Sequence, residues 1–233
     1  MTAPAQVIFT RAGLLRGARD AIPLSIGTVP FGLVVGIAAN GAGLSLAECE
    51  LMSLFCFAGS AQLVALTTWS AAAPIMGATL GALVVNLRLA LMGPVLAPWL
   101  DRLRGWRRWG SLFVMADQNW ALSVREMNAG GTDAAYLLGS GGANWIVWAI
   151  STLVGHQAGA LLRPPPGHPI FFAALAVFLS MLVTMWRGPR DLAPWAIAAA
   201  VAVATSRLFP GGSWHIVAGA LAGSVVGGLR DRR

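Results

Sequence analysis

Phe57-Ala58-Gly59-Ser60-Ala61-Gln62 is a polar, glycine-bearing run inside the apolar stretch Leu51–Trp69. A second interruption, Val85-Asn86-Leu87-Arg88, lies inside Pro74–Trp99. A guanidinium in the middle of an apolar span costs about 2.5–3.5 kcal/mol on insertion scales, so Arg88 requires a buried partner or water. Non-helical backbone survives at membrane depth only where protein or a water-filled cavity satisfies it. The two interruptions therefore predict a membrane protein with a polar interior path, a transporter rather than an anchored enzyme.

Composition points the same way. Of 233 residues, 57% are hydrophobic and 11% charged, against about 25% charged in soluble domains. Apolar segments at Ala21–Ala39, Leu51–Trp69, Pro74–Trp99, Trp109–Leu122, Ala135–Gly155, Ile170–Trp186, Trp195–Phe209 and His215–Leu229 approach the roughly 20 residues of a spanning helix. Trp69, Trp99, Trp186, Trp195 and Trp214 mark segment ends, where indole favours the headgroup layer. Turn chemistry separates the segments at Asn40-Gly41, Pro164-Pro165-Pro166-Gly167 and Pro210-Gly211-Gly212. The expected fold is all-α: one polytopic membrane helix bundle with kinked or re-entrant segments over residues 21–229. A cytoplasmic lead-in (1–20) precedes it and a cytoplasmic tail (230–233) follows.

The net charge of +7 comes from sixteen arginines and no lysine. They cluster at segment ends, which is the positive-inside pattern and not a nucleic-acid-binding face. Eight crossings would separate Arg102, Arg104, Arg107 and Arg108 from Arg11, Arg16 and Arg19 by the bilayer. Placing both clusters inside requires one of the first three segments to be re-entrant or broken, and Trp109–Leu122 not to span. Six crossings plus two partial segments satisfy the charges; seven or eight are the alternatives. The N-terminus is expected in the cytoplasm and the chain in the bacterial inner membrane. Met1–Asp20 lacks the apolar core and small-residue cleavage site of a removable signal. Cys49 and Cys56 form no CxxC, so neither a disulfide nor a metal is expected, and no cofactor is implied.

Several polar groups are candidates for the path. Pro30, in Gly27-Thr28-Val29-Pro30-Phe31-Gly32, removes a backbone hydrogen bond and predicts a kink. GxxxG pairs at Gly32/Gly36, Gly77/Gly81, Gly155/Gly159, Gly219/Gly223 and Gly223/Gly227 predict close helix packing. Ser53 lies seven residues before Ser60, which on a continuous helix extends one polar track to Gln62, a candidate substrate or gate residue. Asn86 and Arg88 are two apart and point nearly opposite ways on a helix. Arg88 is expected to pair with Asp117, in Met115-Ala116-Asp117-Gln118-Asn119-Trp120, as a fixed tie or as a pair that exchanges partners. Asn119 joins this set. Asn144 is mid-span and faces the path; Trp145 and Trp148 are packing residues; His156 and His168 are solvated; Glu48 and Glu50 are loop charges.

Taken in order, Val29-Pro30-Phe31-Gly32-Leu33 with Gly36, Met52-Ser53-Leu54, Phe57–Gln62, Asn86-Leu87-Arg88 and the Asp117 segment resemble the AzlC family, the large subunit of branched-chain amino-acid exporters. The resemblance covers residues 20–125 and rests on general hydropathy beyond them. It implies export of leucine, isoleucine, valine and similar amino acids, driven by the proton motive force, with a small AzlD-type membrane subunit as partner. Leu89 follows Arg88 where the family often carries His, and Gln118 follows Asp117 where an acidic residue is common. Both departures remove titrating groups, so Asp117 carries more of any proton coupling. An apolar pocket would take the substrate side chain, Arg88 or a broken-helix N-terminus its carboxylate, and Asp117, Gln62 or Asn86 its ammonium. An enzyme is not expected, because neither HExxH nor a Ser/His/Asp set is present. The alternatives are a structural subunit or channel whose partner determines transport.

Overall fold

The computed structural model describes residues 7–69, 92–162, 188–209 and 214–231, with isolated positions between 79 and 90 and between 172 and 186. Arg88, His168 and the Gly77/Gly81 pair lie outside the described residues, and so does the expected Arg88–Asp117 pair. Among the described residues every regular element is helical. They are α1 (Arg11–Gly41), α2 (Leu46–Cys56), α3 (Gly59–Thr68), α4 (Ala97–Leu100), α5 (Trp106–Phe113), α6 (Asp117–Asn128), α7 (Ala135–Leu162), α8 (Leu192–Leu208) and α9 (Trp214–Asp231).

Two long apolar helices form the spine. α1 and α7, of 31 and 28 residues, each hold an 18-residue apolar stretch and are each over about 40 Å long, more than the roughly 30 Å of bilayer hydrocarbon. They run parallel. Ile8 and Asp133, just before the two helices, form a parallel bridge, and at the far ends Gly159 approaches Ile37 and Asn40. Glycine permits the approach. A methyl on Gly32 would come 2.6 Å from the Ser151 Cβ, and one on Gly155 would overlap the Leu33 backbone. Gly32/Gly36 and Gly155/Gly159 are thus the two sides of one seam, as the small-residue spacing predicts. Gly219 and Gly223 pack against Ala198 and Ala202 in the same manner and join α9 to α8.

α1 begins at Arg11, ten residues before the apolar segment, with the Thr10 hydroxyl accepting from the Gly13 N–H as N-cap. It continues through both Pro23 and Pro30. No unwinding occurs at Pro30, whose ring faces outward, exposed.

The apolar stretch Leu51–Trp69 does break. Phe57 adopts a left-handed conformation (φ 38°), alone among the described non-glycine residues in its positive φ. Such a conformation costs an L-residue roughly 1–2 kcal/mol. It reverses the chain. The Gln62 amide donates to the Ser53 hydroxyl at 2.9 Å, although nine residues of continuous helix would hold them about 13 Å apart. Leu66, late in α3, shares a hydrophobic cluster with Leu44 and Cys49 at the start of α2. α2 and α3 therefore enter from the C-terminal end of α1 and return to it. The expected Ser53–Ser60 track does not form.

A second hairpin enters from the other end. Trp106, at the start of α5, packs edge-on to Phe9 with ring centres 5.8 Å apart, and Glu126, late in α6, pairs with Arg16 at 2.7 Å. Between them, Val114–Ala116 breaks the helix. Arg107 lies 5.2 Å from the Phe9 ring, and the Trp99 indole donates to the Gly131 carbonyl at 3.1 Å. Arg11, Arg16, Arg102, Arg104, Arg107, Arg108 and Arg125 consequently gather at the N-terminal end of α1. The two hairpin tips meet at Phe55 and Phe113, with ring centres 6.4 Å apart.

Candidate functional site

The hairpin tips enclose a cavity of about 60 Å³ between α1 and α7. Its wall comprises Phe57, Ala58, Gly59 and Ser60 from the first break, Ala116, Asp117 and Gln118 from the second, and Thr28, Phe31, Asn144 and Trp148 from the spine. Leu89 closes one side. The volume corresponds to about two waters, each taking about 30 Å³ in the liquid.

Both breaks turn a helix N-terminus toward this space. α3 starts at Gly59 and α6 at Asp117, and each such end carries the equivalent of about half a positive charge. Ala58, at the N-cap of α3, offers no capping side chain. At α6 the carboxylate of Asp117 occupies the first turn, so the second pole combines backbone donors with an anion. Thr28 and Asn144 face each other at 3.5 Å across the wall. Aromatic and aliphatic surface from Phe31, Phe57, Leu89 and Trp148 completes a space with polar poles and an apolar side.

The residues singled out from sequence divide between lining and support. Ser60, Asp117 and Asn144 line the cavity. Gln62 does not. It is 0% exposed, donating to Ser53 and accepting from the Trp148 indole N–H at 3.0 Å. Asn119, 1% exposed, stitches the second break: its Oδ1 accepts from the Ala116 N–H at 2.7 Å and its amide donates to the Val114 carbonyl at 3.2 Å. Asn86 lies beside the first tip, its amide 3.8 Å from the Cys56 sulfur, and its Oδ1 is buried with no hydrogen-bond partner. Pro30 is turned away.

Thr28, Gln118 and Trp148 enter the wall without having been site candidates. Thr28 was detectable as a hydroxyl one turn from Phe31 on an apolar helix; Trp148 lies one turn after Asn144, on the same face. Two further readings are corrected. His156 is 6% exposed rather than solvated, with Nε2 2.9 Å from the Leu44 carbonyl. Glu50 is no loop charge: it sits within α2, half-buried, 3.3 Å from the Thr152 hydroxyl. Among the described residues no cluster of His, Cys, Asp or Glu has the makings of a metal site.

Residues 23–162 match the family described as AzlC protein, a range that contains α7, α1 from Pro23 onward, both hairpins and the whole cavity wall. The chain is 26% identical over 189 residues to the "Inner membrane protein YgaZ" of Escherichia coli K12, covering 78% of this chain and 76% of that protein. It is 28% identical over 153 residues to an "Uncharacterized membrane protein" in each of two Helicobacter pylori strains, covering 63% of this chain and 66% of theirs. No solved structure matches.

Proposed function

The chain belongs to the AzlC family of membrane transport proteins, and on that premise we propose that it is a secondary exporter of branched-chain or similar apolar amino acids. In this reading it is the large subunit of a two-component system that works with a small AzlD-like membrane protein. The observation that carries the proposal is the meeting of two hairpins, entered from opposite ends, at one cavity. A zwitterion with an apolar tail fits its chemistry. The uncapped first turn of α3 receives the carboxylate, Asp117 faces the ammonium, and Phe31, Phe57, Leu89 and Trp148 surround the alkyl group.

A volume near 60 Å³ is too small for leucine, so substrate enters only when a hairpin withdraws. Withdrawal of α2–α3 opens the cavity toward the C-terminal end of α1, and withdrawal of α5–α6 opens it toward the other. Alternating these movements gives alternating access around a fixed site. The gathered arginines support an orientation with the N-terminus of α1 in the cytoplasm and six crossings of the inner membrane.

The test is counterflow of labelled leucine into proteoliposomes containing this chain with and without its small partner. Saturable, leucine-specific exchange that is lost in Asp117→Asn is expected. Absence of exchange in both preparations would remove the assignment, and non-saturable flux would indicate a channel.

A further inference from the structure

His156, Glu50 and Thr152 form a polar cluster away from the cavity, where α2, the first arm of the first hairpin, packs against α7. A carbonyl oxygen only accepts hydrogen bonds, so the contact of His156 Nε2 with the Leu44 carbonyl places the ring proton on Nε2. Nδ1 then presents a lone pair. It is buried and has no hydrogen-bond partner. Glu50 extends from α2 toward the same face of α7, 3.3 Å from the Thr152 hydroxyl. Thr152 and His156 are one turn apart on α7.

We propose that His156 Nδ1 is a proton-binding site and that Glu50 is the counter-charge that retains the proton there. Imidazole is the side chain whose charge changes near neutral pH. The proton adds to the Nδ1 lone pair, breaking no bond, and creates an imidazolium one helical turn from Thr152, whose hydroxyl holds the Glu50 carboxylate. Of the other described groups on the elements packed around the ring, Glu48 is exposed and held by Ser45, Cys49 is a buried thiol, and the facing parts of α1 and α3 carry no charge. No described cation opposes the added charge.

The position gives the proton a mechanical consequence. Leu44 ends the connection from α1 into α2, and Glu50 rides on the first arm of the α2–α3 hairpin. Charging the ring therefore changes the pull on the hairpin that closes the cavity from this end. Resting on the transport reading above, this makes the cluster the coupling site for an incoming proton, at the end opposite the arginines gathered at the start of α1.

Two measurements separate this inference from the transport reading. Histidine-labelled protein in nanodiscs is followed by NMR, with the His156 signal identified by its absence in His156→Gln, whose amide retains a donor for Leu44. The expected result is a His156 signal that changes between about pH 8 and pH 5, with Glu50→Gln requiring lower pH for the same change. A His156 signal that is constant over that range overturns the proposal, whatever the protein transports. In proteoliposomes, His156→Gln is expected to lower pH-gradient-driven leucine flux about tenfold or more while leaving counterflow without a gradient within about twofold. Undiminished gradient-driven flux in that variant also overturns it.

Discussion

Asp133 accepts a hydrogen bond from the Thr10 backbone N–H at 3.1 Å and another from its hydroxyl, so one carboxylate clamps the starts of both spine helices. The same oxygen that meets the Thr10 N–H accepts from the Ala135 N–H, at 3.1 Å, in the first turn of α7. Thr10 in turn caps α1 through the Gly13 N–H at 3.1 Å. Asp133 is buried, so truncation leaves donors unpaired where water does not replace the carboxylate. Asp133→Ala is expected to destabilise the protein by about 1.5–3 kcal/mol, the range for hydrogen bonds to a charged group. Asp133→Asn, which keeps an acceptor, costs less. Thermal unfolding in detergent checks the order.

Gln62 and Trp148 are coupled through a buried hydrogen bond of 3.0 Å. Gln62→Leu strands the indole N–H and the Ser53 hydroxyl together, for an expected loss of about 1–3 kcal/mol. Trp148→Phe removes the indole donor but also cuts into the cavity wall. The double variant is expected to be less damaging than the sum, with an interaction of about 0.5–3 kcal/mol for residues in one network. An additive cycle would show that Gln62 does not hold the first hairpin in place.

Gly59 bears on the cavity itself. A methyl there would lie 2.5 Å from Phe31 Cε1 and 2.5 Å from Trp148 Cη2, within the wall and at the first residue of α3. Gly59→Val is expected to abolish leucine counterflow while the protein still folds, because the added atoms intrude into a cavity of about 60 Å³. Overpacking of this kind costs about 1–3 kcal/mol. Pro30→Ala, on the outward face of α1, is the matched control and is expected to leave counterflow unchanged.

The helical class and the interruption at Phe57–Gln62 were legible because an apolar run signals lipid, and polar groups within it demand satisfaction; the interruption read at Val85–Arg88 lies in large part outside the described residues. The charge pattern led to the expectation that Trp109–Leu122 is not one continuous span, and that stretch is divided between α5 and α6, a hairpin with both ends beside α1's N-terminus. What spacing could not give was the direction of the chain after Phe57. Helical periodicity pairs Ser53 with Ser60; the left-handed residue turns the chain and pairs Ser53 with Gln62 instead. The same reversal explains why Gln62 became a buried support rather than a lining group. His156 and Glu50 were misread for a related reason: each lies near a segment end in the sequence, yet α1, α2 and α7 pack together there and exclude solvent.

Ser45 and Glu48 close the first turn of α2 by a reciprocal capping box, the Glu48 carboxylate accepting from the Ser45 N–H and hydroxyl at 2.7 Å each and the Ser45 hydroxyl accepting from the Glu48 N–H at 3.3 Å. The Ser45 side-chain hydrogen bond, followed by that from its backbone, holds the Glu48 carboxyl below its ordinary value. A group whose folded value is lowered stabilises the folded state above its unfolded value, and that contribution disappears as pH falls through the folded one. The cap is therefore intact at neutral pH and is lost only in acid beyond the usual carboxylate range. Ser45→Ala is expected to raise the Glu48 titration toward an ordinary glutamate and to fray the start of α2 at neutral pH. Carboxyl-labelled NMR of Glu48 reads the first effect and amide exchange at Leu46–Cys49 reads the second; an unchanged Glu48 titration in Ser45→Ala would show that the box does not form.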